Sequence, residues 1–226
     1  MIEKRGKFIV IDGTDGSGKA TQTELLINRM KQEGRAVQTV SFPRYGKKSC
    51  GPVEEYLSGK YGTATEVSAK AASILYAVDR FDASFDIREA LEQGICIVAD
   101  RYVGSNLGHQ GSKIHNIKDR HAFYDWNRDL EFNTFGIPVP DINIVLHLPT
   151  EISIKLAHDR GGWKADIKTD IHETDHEHLK NAERTYMELT ERFEEFTRIE
   201  CTQNGKLMTP AEIHAHVWNI VQTILK

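Results

Sequence analysis

A doubly wound α/β fold, with a parallel five-stranded sheet covered by helices on both faces, is predicted by three features of the 226-residue sequence. Short, wholly apolar runs recur along the chain, segments with helical spacing separate them, and a glycine-rich turn joins the first run to the first helix. Strands buried on both faces read as continuous apolar runs, because neither face alternates towards water.

The first strand is expected at residues 8–11, a β-branched apolar run, and a helix at 21–33 that stops at Gly34. Residues 37–42 form the next strand, ended by Pro43. A long helix is expected over 67–93, stopping at Gly94, followed by strands at 95–99 and 142–148. A short fifth strand is placed at 199–202, and a closing helix starts at Pro210 with Thr209 as its N-cap. Residues 159–178 are polar, contain Gly161-Gly162 and three of the ten histidines, and read as a lid excursion within one domain spanning 1–226.

Composition narrows the function. Lys and Arg number 29 against 33 Asp and Glu, a net charge of −4, which argues against a large surface for polymeric nucleic acid. A small anionic substrate needs only a few well-placed cations. Cys50, Cys96 and Cys201 are widely spaced and form no disulfide or metal signature. No run approaches the roughly 18 apolar residues of a membrane span, and no apolar leader follows the N-terminal basic residues. A reducing, cytoplasmic setting is therefore expected.

The strongest signal is residues 13–19, Gly13-Thr14-Asp15-Gly16-Ser17-Gly18-Lys19, set between a strand and the helix opened by Ala20-Thr21. Glycines let backbone N–H groups converge on phosphate oxygens, the helix dipole favours an anion, and Lys19 adds a point charge. Gly13, Asp15, Gly16, Ser17, Gly18, Lys19, Ala20 and Thr21 are thus the expected ATP contacts of a P-loop NTPase-type fold. A Ser or Thr ordinarily follows the lysine to reach Mg2+. Here Ala20 does, which resembles the adenylate kinase type of loop, where water completes the metal shell.

Further motifs follow in order: Phe42-Pro43-Arg44, Tyr76 with Arg80 four residues later on one helix face, Asp100-Arg101-Tyr102, Ser105, and Gln110-Gly111. With Asp15 in the phosphate loop, this set resembles the thymidylate kinase family, in detail through the first half and more loosely beyond. The resemblance implies phosphoryl transfer from Mg-ATP to thymidine monophosphate by a homodimer. It places Tyr76 on the acceptor base, Arg80 and Arg101 on its phosphate, and Asp100 on Mg2+, directly or through water. Asp15 would reach the sugar hydroxyl and the phosphate-binding arginine; Ser105 and Gln110 the base edge; Phe42 and Arg44 complete the acceptor set. Family members carry Tyr or Phe where this chain has His109, which leaves deoxyribose selectivity and the choice of base open. Catalytic arginines come from the lid in bacterial-type members, and Arg160 is the first candidate here, with Lys164 next and Lys168 following.

Lys19, Arg101, Arg160 and Asp15 are the expected catalytic residues. His172, His176 and His178 read as a solvated helix face rather than a metal site. Two alternatives stay open: a kinase for another nucleoside monophosphate or nucleoside, and a degenerate nucleotide-binding protein without turnover. The Glu-Arg-Ser signature of deoxynucleoside kinases and the Asn-Lys-x-Asp element of guanine-nucleotide switches are both absent.

Overall fold

The computed structural model describes residues 5–159 and 176–225. Five parallel strands, β1 (Phe8–Gly13), β2 (Val37–Ser41), β3 (Cys96–Asp100), β4 (Ile142–His147) and β5 (Phe196–Glu200), lie in the order β2-β3-β1-β4-β5. The three central strands are buried throughout or up to their last residue, as the apolar runs require. β1 shows how the two faces divide. Phe8 and Val10 point into one core with Tyr102, Leu107 and Phe123, while Ile9 and Ile11 point into the other with Leu26, Met30 and Val217.

Helices α1 (Lys19–Gln32), α2 (Gly51–Leu57), α3 (Ala69–Glu92), α4 (Val103–Gly111), α5 (Ile117–Arg128), α6 (Thr150–Asp159), α7 (His176–Arg192) and α8 (Pro210–Ile224) complete the layers. Local chemistry fixes their starts. Ser68 accepts from the Ala71 N–H, Asn116 from those of Lys118 and Asp119, and Thr209 forms a reciprocal capping box with Glu212. α1 has no side-chain cap, so the N–H groups of its first turn stay available to an anion.

The expected strands and the helices of the first half are present, with ends shifted by a residue or two. The fifth strand lies three residues earlier than expected. At the sheet border only Phe196 and Ile199 are buried, so no continuous apolar run marks it, and Thr202–Gln203 instead pairs with Lys206–Leu207 in a hairpin. α4 is absent from the sequence reading for a physical reason. It contains three glycines, each costing about 1 kcal/mol against alanine in a helix. Packing explains all three: a β-carbon would sit 2.5 Å from Asp12 at Gly104, 2.7 Å from the Tyr186 ring of α7 at Gly108 and 2.8 Å from Tyr124 at Gly111.

Candidate active site

The phosphate loop closes the carboxyl end of β1. Gly13, Gly16 and Gly18 all have positive φ, 137°, 79° and 89°, and the Ser153 hydroxyl of α6 donates to the Asp15 carbonyl at 2.7 Å. Lys19 Nζ is buried and donates to the Thr14 carbonyl at 2.8 Å. Burial, reinforced by the charge of Arg101 and opposed by Asp15, lowers its pKa to about 8. Ala20 and Thr21 are both exposed, so neither supplies a hydroxyl to the loop interior.

Next to the loop, α3, α4 and the end of β2 enclose a cavity of about 310 Å³. Asp15, Phe42, Tyr76, Arg80 and Arg101 line it, as do Ser105, His109 and Gln110. Arg101 sits in the left-handed region at φ 68°, uncommon for a residue with a side chain, and its N–H donates to the Ile11 carbonyl at 2.9 Å. That backbone turn delivers the guanidinium to Asp15, Ser105 and His109. Burial raises the Asp15 carboxyl, but the charges of Arg101 and Lys19 outweigh it and hold the group ionised far below the usual carboxylate range.

Asp12 is a residue the motif reading passed over. It is fully buried at the end of β1, accepts from Ser105 Oγ at 2.5 Å and from Tyr186 Oη at 3.1 Å, and burial raises its pKa. Its one sequence signal is an aspartate that closes a wholly apolar strand. One Asp100 oxygen is buried with no hydrogen-bond partner among the described residues, as are the hydroxyls of Thr14 and Ser17. Ile11 and Asp100 are in register, so both strand-end aspartates stand at the same edge of the sheet.

Of the two remaining arginines, one lines the cavity and one does not. Arg80 faces the cavity, but its Nε and Nη2 donate to Glu131 at 2.5 and 2.8 Å on a π-helical turn, Asp129–Thr134. Its side chain is 2% exposed against 20% for Arg101. Its charge is compensated by Glu131, as that of Arg101 is by Asp15, and it is the more buried of the two. Arg44 is not in the cavity lining; Asp79 (3.0 Å), Asp82 (2.5 Å) and Ser49 hold its guanidinium. Asn106, also unforeseen, lines the cavity and donates to the Ser73 carbonyl and to Glu131. Its Oδ1 and Gln110 Oε1 are buried acceptors without a partner among the described residues. Tyr76 is half-buried and meets Tyr56 edge-on, at 6.2 Å and 86°.

His178 is not on a solvated face, as the sequence suggested: it is half-buried against His109. Among the described residues no cluster of metal-ligating side chains forms. Arg160, Lys164, Lys168 and His172 lie outside the described residues.

A profile of the family described as thymidylate kinase matches residues 11–211. A thymidylate kinase of Mycobacterium tuberculosis is 32% identical over 189 residues, covering 80% of this chain and 85% of the relative. The chain belongs to the thymidylate kinase family. A probable thymidylate kinase of Pyrococcus abyssi is 28% identical over 219 residues, with 96% and 97% covered. The solved structure of the Candida albicans thymidylate kinase shares the fold, with a TM-score of 0.75 at 24% identity over 97% of this chain and 92% of that one. The thymidylate kinase match thus runs well past the first half, where the motifs concentrate, and across the segment at 159–178.

Proposed function

We propose that this chain transfers the terminal phosphoryl group of ATP to thymidine monophosphate. The observation that carries this reading is the position of the two unpartnered buried acceptors, Asn106 Oδ1 and Gln110 Oε1, in a cavity that adjoins the phosphate loop. Thymine presents an N–H between two carbonyls. The orphan acceptors suit the N–H, and the edge of Arg80 not spent on Glu131 suits a carbonyl. Cytosine would set an acceptor against an acceptor, leaving buried polar groups unpaired at about 1–3 kcal/mol each.

Each site residue then has a task. Lys19, the loop N–H groups and the uncapped start of α1 hold the donor phosphates, and Arg101 meets the acceptor phosphate with a guanidinium fork. Tyr76 stacks on the base and Phe42 walls the cavity. The acceptor phosphate is already ionised, so no general base is required and placement carries the rate. Mg2+ fits the residues present: the orphan oxygen of Asp100 is the kind of hard donor that ion takes, directly or through water, and the ion would offset charge on the transferred group. Arg160 stays the first choice for the cation at the transferred group, on the sequence alone.

A homodimer belongs to the same reading. α3 exposes Ile74, Val78, Phe81 and Phe85 at spacings of four, three and four, an apolar stripe that no sequence window made evident. A monomer in sedimentation at micromolar concentration would remove this assignment; Phe85→Asp should convert the dimer to that monomer.

ADP release with ATP and a panel of monophosphates and nucleosides tests the activity. Release should rise well above the ATP-only background with dTMP and cease on chelation of Mg2+. Stimulation by thymidine rather than dTMP, or nucleotide binding without turnover, would overturn it.

A further inference from the structure

His109 stands where the family carries an aromatic hydrocarbon or phenol, and its surroundings specify one tautomer. Arg101 Nη1 lies 3.3 Å from His109 Nε2. A guanidinium can only donate, so Nε2 must carry the lone pair and the ring proton must sit on Nδ1. Nδ1 faces His178 Nε2 at 3.5 Å, and His178 Nδ1 faces Ser112 Oγ at 3.3 Å. The Ser112 hydroxyl donates to the His109 carbonyl at 2.7 Å, which leaves its oxygen to accept from His178. Along these contacts each donor meets an acceptor when both rings carry their proton on Nδ1.

Ring orientation agrees. The two imidazoles are 20° from parallel with centroids 5.7 Å apart, and their facing nitrogens are closer than their centroids. They lie edge to edge, as a ring-to-ring hydrogen bond requires, not face to face. The Tyr186 ring stands perpendicular to His109 at 88°, with centroids 5.9 Å apart.

We propose that His178 is a positioning residue of the acceptor site: by fixing the His109 tautomer it holds the guanidinium of Arg101 in register with the cavity. This rests on reading that cavity as the acceptor site. The relay ties Arg101, on the loop after β3, to α7, which packs on α4, so α7 and the guanidinium are placed together. Proton uptake by His109 would place a donor on Nε2 against the donating Arg101 guanidinium, and that contact would be lost. Among the groups facing the two rings are Arg101 and Asp15 from the loops, Tyr186 from α7 and Ser112 from the end of α4, with Asp12 behind Ser105.

Long-range 1H–15N NMR of the full chain reads the tautomer directly. His109 should be protonated on Nδ1 with a bare Nε2, and a proton found on Nε2 would overturn the proposal. Kinetics give the second readout. His178→Leu should raise KM for dTMP about fivefold to tenfold, the worth of one hydrogen bond, with kcat and KM for ATP changing less. His178→Gln, which keeps one acceptor and one donor, should recover most of that loss, and the acid limb of kcat/KM for dTMP should flatten in the leucine variant. A leucine variant with unchanged KM and pH profile would overturn the positioning role. If the unaltered chain shows no dTMP-dependent turnover, the acceptor reading fails, and the NMR spectrum still decides the tautomer.

Discussion

The phosphate loop and the acceptor cavity share Asp15 and Arg101 as a common wall, yet they are built in opposite ways. The loop is one contiguous segment whose shape comes from glycines at positive φ and from the start of one helix. The cavity is assembled from the loop, the end of β2, α2, α3 and α4, and its most buried polar pair, Arg80 with Glu131, joins residues 51 apart in sequence. A site made by local backbone conformation is specified by a motif. A site made by packing depends on partners that no motif contains.

Breaking the non-local pair should have the largest effect. Glu131→Gln leaves the buried Arg80 cation uncompensated, and removing one partner of such a pair costs about 3–5 kcal/mol. A denaturant titration should show that loss, while a small change would mean that the cavity is less dependent on packing than described. Lys19→Ala attacks the local site instead. It should leave stability nearly intact but lower kcat by about 10²–10³, the usual loss for a preorganised charge at a transferring group. Survival of full activity would remove the loop from the chemistry.

Tyr76→Ala should fall between the two in character, raising KM for dTMP by the roughly 1–3 kcal/mol of a lost base stack with KM for ATP unchanged. An equal change in both constants would mean that the two sites are not separate. The mildest perturbation is pH. Lys19 titrates at about 8 in the folded chain against 10.5 ordinarily, so the folded state gives up its proton first as pH rises. Stability therefore increases across that window, whereas the loop loses its charge. KM for ATP should rise about tenfold by pH 9, and a flat profile would contradict the buried position of the ammonium.

The same division runs through the fold. The central strands were legible because burial on both faces leaves continuous apolar runs, and α8 because Thr209, Pro210 and Glu212 write its cap into adjacent residues. β5 was misplaced because an edge strand can expose Arg198 and Glu200. α4 was missed because its glycines lower helix propensity, while each lies where a β-carbon would clash with β1, α7 or α5. The stripe on α3 was hidden because a helix packed on one face and apolar on the other shows no single polar side.

By itself the sequence determined a phosphate loop, a parallel sheet and a set of residues resembling those of a monophosphate kinase, since each of these rests on neighbours in the chain or on strict order. The tertiary structure decided which arginine is accessible, because Glu131, Asp79 and Asp82 claim the charges of Arg80 and Arg44 and leave Arg101 beside the loop. It also decided what His109 does. Which nitrogen of an imidazole carries the proton depends on the groups that meet it, and here those come from Arg101 and from α7.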